Sequence, residues 1–218
     1  MTTSRDKVLE LVASGKISAA EGDGLLKAMA APGPGFWHTL WNPFERLSLS
    51  VSLALGVAGV LAALVLSHFN VRFDGAFDVH AMNSSVSLST ALIEQAIVWP
   101  GVALLFWLGA LTLARSARAV DFLAAVAVAR LALLPVGIAT APLAPLLPRD
   151  VSTTSTTHLL PLIVLVAIAL PALALFFVWL YRGFRHASGL RGARCGVAFV
   201  TLLVLAEVLS KVALNYLP

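Results

Sequence analysis

Four ionisable residues, Glu94, Arg130, Glu207 and Lys211, fall inside long apolar stretches of this chain. A charge at mid-bilayer costs at least about 3 kcal/mol on insertion scales, so each is expected to face a partner. Glu207 and Lys211 stand four residues apart, which puts both on one helix face in the favourable acid-before-base order. Arg130 lies about ten residues into its stretch, near mid-depth at ~1.5 Å rise per residue, and Glu94 lies near the outer end of its own. The four are expected to form an interhelical ionic cluster. Such a cluster fixes helix packing and register; the alternative is a path for an ion or proton. Packing is the expected use, because these charges can cancel whereas transport sites usually carry a surplus carboxylate.

Metal-ligand residue types recur toward the outer face at His68, Asp74, Asp78, His80 and His158. Their spacing matches no recognised ligand pattern, and they are expected to be solvated loop groups with no bound metal. The nucleophile-elbow pattern G-x-S-x-G and the zinc pattern H-E-x-x-H are absent, as is the phosphate-binding loop G-x-x-x-x-G-K-[ST]. The expectation is therefore a protein that is not an enzyme and uses no cofactor. Arg182, Arg185, Arg191 and Arg194 crowd into residues 182–194. Each gains about 1 kcal/mol beside an anionic leaflet, so anionic-lipid or partner contact is open to them in addition to their role as an orientation signal.

The elements that position these residues follow from composition. At 218 residues, 59% hydrophobic and 12% charged, the chain departs from soluble domains, which are about half apolar and a quarter charged. Membrane helices need about 20 mostly apolar residues, and five segments qualify: 47–69, 92–114, 120–143, 159–179 and 196–217. Backbone in lipid must satisfy its own hydrogen bonds, and these runs exceed the ~10-residue alternating strands of a barrel, so they are read as helices. The fold class is all-α, a polytopic membrane bundle. Pro100, Pro135, Pro142, Pro145 and Pro171 predict kinks within it. Small-residue pairs such as Ser52 with Gly56, Ala58 with Ala62 and Ala125 with Ala129 permit close helix approach.

Eleven of the fifteen basic residues fall on one side of these spans and only Arg72 and Arg149 on the other, with Arg130 and Lys211 inside. By the positive-inside rule the N-terminus is expected in the cytoplasm and Pro218 outside, in a cell membrane. No signal peptide is expected, since the first 46 residues lack an apolar core ahead of a small-residue cleavage site. The net charge of +4 is spent on orientation and not on a basic face of a soluble domain, which argues against nucleic acid. Cys195 has no second cysteine to pair with and reads as a buried small hydrophobe.

Residues 1–31 read as a cytoplasmic helical hairpin, with a Ser14, Gly15 stop and a capping box from Ser18 to Glu21. Residues 32–46 form a Pro/Gly linker and an aromatic interfacial lead-in, and 47–218 the five-span domain. The outer loops, 70–90 and 149–158, are polar and too short to form domains.

Several motifs resemble the bacterial form of the Yip family (Rab-interacting-protein type). The lead-in Trp41-Asn42-Pro43-Phe44-Glu45-Arg46 resembles the family's entry motif, and the stretch from Val126 to Pro135 resembles its small-residue run leading to a proline. Residues 181–192 with Ala206-Glu207-Val208-Leu209-Ser210-Lys211 are similar to its closing segment. Residues 4–30, with Gly15-Lys16-Ile17-Ser18, resemble a SHOCT-like helical hairpin, a docking or self-association element. The resemblance implies a non-enzymatic bundle that works through a membrane-protein partner, as an accessory of an exporter or envelope-stress system. A small transporter or channel is the alternative function.

Overall fold

The computed structural model describes residues 4–30, 35–82, 86–113, 117–146 and 156–216, in two compact units, Met1–Thr39 and Leu40–Pro218. The expected linker at 32–34, Arg115 and Arg149 lie outside the described residues.

In the first unit, α1 (Ser4–Ala13) and α2 (Ala19–Ala30) form the expected hairpin. Gly15 takes the left-handed conformation (φ 69°) that ends α1, and Lys16 N–H bonds back to the Leu11 carbonyl at 3.0 Å. The capping box is made as expected: Ser18 N–H donates to Glu21 Oε2 at 2.7 Å and Glu21 N–H to Ser18 Oγ at 3.2 Å. These bonds from Ser18 hold the Glu21 carboxyl below the usual carboxylate range. The helices approach closely at Gly22, where a Cβ would come within 2.3 Å of Val12 Cγ2.

The second unit is an all-α polytopic membrane bundle, with five helical segments long and apolar enough to cross a bilayer. A short helix, α3 (Phe36–Trp41), and a 3₁₀ turn (Pro43–Glu45) precede the first span. Span one is α4 (Leu49–His68), opened by Ser48, whose hydroxyl accepts from Val51 N–H. A two-stranded hairpin follows, β1 (Val71–Arg72) with β2 (His80–Ala81). Span two joins α5 (Leu88–Ala96), a π turn (Ile97–Gly101) and α6 (Val102–Leu111). Span three joins α7 (Ala119–Leu131) to α8 (Leu134–Leu143) through a break ahead of Pro135. Spans four and five are α9 (Thr156–Ser188) and α10 (Gly192–Asn215).

Two of the differences between helix ends and hydropathy edges bear on the site. Ser87 caps α5 by accepting from Thr90 N–H, so span two begins at Leu88 and part of the outer serine cluster is a cap. The basic segment 182–194 is mostly helix: α9 continues to Ser188 and α10 begins at Gly192, leaving only 189–191 as the turn. Hydropathy marks where hydrocarbon ends, and polar helix formers carry the backbone past it.

Span three is the centre of the bundle. Every residue from Ala124 to Ala129 is buried, and their small side chains let neighbours approach. A Cβ on Gly56 of span one would lie 2.5 Å from Ala127 Cβ, and one on Gly183 of span four 2.6 Å from Ala125 Cβ. Ser52 and Gly56 thus mark a real interface, whereas Ala58 faces outward. Toward the basic end, Phe106, Phe122, Phe184 and Phe199 interlock with centroids 5.5 to 6.1 Å apart, tying spans two to five together. Cys195 is fully buried nearby. Three indole N–H groups donate to backbone carbonyls: Trp99 to Leu123 at 2.9 Å, Trp107 to Ala117 at 3.0 Å, and Trp179 to Leu40 at 2.6 Å. The last bond fastens the lead-in to span four.

Candidate functional site

The intramembrane charges meet at the hairpin between spans one and two. Asn70 leaves α4 with φ 61°, a left-handed position that asparagine tolerates, and directs the chain back over the bundle. Val71 and Arg72 then pair with Ala81 and His80. Residues alternate inward along the first arm, with Val71, Phe73 and Gly75 buried and Ala76 buried after them, and Phe73 closes on Gly137, where a Cβ would sit 2.7 Å from its ring. Phe77 packs against Phe176 and Phe177 of span four. The segment expected to be a solvated loop is part of the core.

Each of the four intramembrane residues makes its bonds to this hairpin. Arg130 Nη1 donates to the carbonyls of Gly75 (3.3 Å) and Ala76 (3.2 Å), while Glu207 Oε2 accepts from Ala76 N–H at 2.9 Å. Lys211 Nζ donates to Asp74 Oδ1 at 3.0 Å and, in a closer contact, to Asp78 Oδ2. Glu94, with its side chain only 2% exposed, pairs with Arg72 at 2.5 Å. The expected cluster of spans two, three and five therefore exists in a different form. No ion pair within 4 Å joins Glu94, Arg130, Glu207 and Lys211 to one another, although Arg130 and Glu207 attract at longer range; the hairpin supplies the counter-groups they bond. Sequence reasoning missed Arg72, Asp74, Asp78 and His80 as partners because acidic and basic residues in a short polar connection read as solvated.

Gly75 is required by this arrangement, since a Cβ there would lie 3.0 Å from both Glu207 carboxylate oxygens and 2.9 Å from Asp78 Cβ. His80 Nδ1 approaches Asp74 Oδ1 at 3.5 Å and Asp78 Oδ1 at 3.6 Å. The neighbouring His80 imidazole, with Lys211 adding to it, holds the Asp78 carboxyl far below the usual range despite its partial burial. In return, the Asp78 carboxylate beside it raises the His80 imidazole above its ordinary value, with burial opposing.

Ligand atoms of Asp74, Asp78 and His80 lie within 4.8 Å of one another, the only such group of three metal-type residues among the described ones. The Lys211 ammonium bonds both carboxylates and is the cation of this group. His68 is exposed on α4, its ring edge-on to Phe69, and the side chain of His158 lies outside the described residues. Among the described residues no buried side-chain nitrogen or oxygen lacks a hydrogen-bond partner. Beside Arg130, a partly open space of about 20 Å³ is bordered by Gln95, Trp99 and Phe73, room for one water.

At the opposite end, Arg182, Arg185 and His186 share a face of α9, and Arg191 joins them from the turn. Arg194 stands apart, on the first turn of α10 beside a groove between spans two and five. No family model, curated protein or solved structure matches this chain.

Proposed function

We propose that this chain is a non-enzymatic, Yip-type membrane protein that serves as accessory or scaffold to another membrane complex. In this reading its basic face and N-terminus are cytoplasmic, in a bacterial inner membrane. One observation carries it: Glu94, Arg130, Glu207 and Lys211 spend their hydrogen bonds on the protein's own hairpin, the use expected of groups that fix a packing arrangement. A bundle so tied at one end is a rigid platform. The α1–α2 hairpin, with Leu9, Leu11, Leu25 and Met29 exposed, offers the apolar surface through which a partner or a second copy binds.

The competing reading, a small transporter or channel, draws on the water-sized space beside Arg130 and on the π turn at Ile97–Gly101 that places Trp99 there. Purification from native membranes in mild detergent separates the two. A stoichiometric membrane-protein partner, lost when residues 1–31 are deleted, is the expected result. Purified protein that alone conducts ions in liposomes, with or without residues 1–31, contradicts the proposal.

A further inference from the structure

The end of α9 and the start of α10 enclose an open recess of about 400 Å³, walled by Arg182, Arg185, His186 and Arg191 and, across from them, by Asn42 and Glu45 of the lead-in. Gly189, with φ 67°, turns the chain so that Arg191 faces the α9 arginines, and Gly189 N–H closes on the Arg185 carbonyl at 3.0 Å. Among the described residues, neither Arg182, Arg185 nor Arg191 has a carboxylate within 4 Å, whereas Arg72 and Arg118 are each paired. Asn42 engages the one acid on the rim, Glu45. Arg191 spends no side-chain bond on capping α10, which starts at Gly192, and so stays available to the recess.

The depth of the recess identifies the source of that anion. Trp179, bonded to the lead-in, stands one turn before Arg182, about 4.5 Å along the helix, and Trp41 is exposed beside it. The apolar stretch of span four ends near Trp179, and the Trp41 indole of the lead-in is exposed as at headgroup level, so the arginines just beyond stand in the phosphate layer. Leu190, on the recess wall, also lines an apolar groove of about 560 Å³ between spans two and five, formed by Gly109, Leu113, Val197, Ala198 and Leu202 with Arg194 among them. Basic recess and apolar groove meet at one residue, as polar and apolar parts of an amphiphile require.

We propose that this elbow is a binding site for one anionic phospholipid of the adjacent leaflet, its phosphate held by Arg182, Arg185 and Arg191 and an acyl chain lying in the groove. Arginine suits the task because its planar fork bonds two phosphate oxygens at once. This goes beyond an orientation signal, for which the placement of positive charge suffices and a shared recess is unnecessary.

The full chain, purified in a neutral detergent, is titrated with phosphatidylglycerol, phosphatidylcholine or glycerol phosphate while its thermal unfolding is followed. Phosphatidylglycerol is expected to raise the midpoint at least fivefold lower concentration than phosphatidylcholine, and glycerol phosphate to have no effect. Arg185→Gln, which keeps the remaining positive charge for insertion, is expected to lose at least half of that preference. The triple replacement of Arg182, Arg185 and Arg191 by Lys, which retains all the charge, is expected to weaken it, and Arg118→Gln to leave it intact. Equal response to both lipids, or an unchanged preference in Arg185→Gln and the triple variant alike, overturns the site. Saturation by glycerol phosphate at the same concentration as the lipid overturns the lipid assignment.

Discussion

Arg130 and Glu207 hold opposite ends of a single peptide group: Arg130 donates to the carbonyl of Gly75 and Glu207 accepts from the N–H of Ala76. Two charged side chains from spans three and five thus grip one amide of the inserted hairpin, each compensated by the same backbone dipole. An Arg130→Met or Glu207→Gln change leaves the other charge at membrane depth without its share of that arrangement. Each is expected to cost about 1–3 kcal/mol and lower the unfolding midpoint by several degrees. The double variant should lose less than the sum of the two, by 0.5 kcal/mol or more on the ~0.5–3 kcal/mol scale of coupled pairs. A thermal double-mutant cycle measures this; strict additivity would show that the pair is not coupled through the hairpin.

Gly75→Ala tests the same clamp from the hairpin side. The new methyl meets the Glu207 carboxylate and Asp78 Cβ, so the clamp must open or shift, at about 1–3 kcal/mol. Gly24→Ala, where nothing lies within 4 Å, is the matched control and should be neutral or slightly stabilising. Thermal unfolding of the two variants side by side reads the difference.

The Asp78 and His80 pair predicts a pH window for hairpin closure. Asp78 has its carboxyl lowered, so its contribution is complete above its ordinary value of 3.8 and is lost only as pH falls far below that. His80 is raised, so its contribution is complete below 6.5 and is lost as pH climbs through its elevated value. Closure should be tightest between those limits and loosen toward alkaline pH. Hydrogen exchange of the hairpin from about pH 5 to pH 9, corrected for intrinsic rates, should show this loosening in the parent and not in His80→Gln.

How much of this was legible beforehand differs by feature. Five spans were visible because nothing but a membrane helix uses so many consecutive apolar residues, and the Ser18 to Glu21 capping box was visible because its partners are three residues apart. The depth of Glu94, Arg130, Glu207 and Lys211 was equally plain. Their partners were not, since Glu207 reaches Ala76 and Lys211 reaches Asp74 across more than 130 residues, a separation that leaves no local pattern. A clue was present in the alternation of Val71 and Phe73 with Arg72 and Asp74, a half-buried strand pattern inside a segment otherwise read as solvated. The end of α9 was misplaced for another reason: Arg182 and Arg185 are good helix formers, so the helix outlives its apolar stretch.

In the N-terminal unit, Gly22→Leu should separate α1 from α2, because the position already brings Val12 within reach of a bare Cβ. The proposed docking role then predicts loss of partner capture with the membrane domain still folded. Co-purification and thermal unfolding of the same sample distinguish that outcome from general collapse.

The most direct test of the central claim, that the intramembrane charges serve to hold the hairpin, is amide hydrogen exchange at Ala76 in nanodiscs. With Glu207 in place the Ala76 N–H is bonded in a buried site and should exchange slowly; in Glu207→Gln it should exchange at least about tenfold faster, the equivalent of roughly 1.4 kcal/mol of local protection. Fast exchange in the parent, or an identical rate in the variant, would contradict the account.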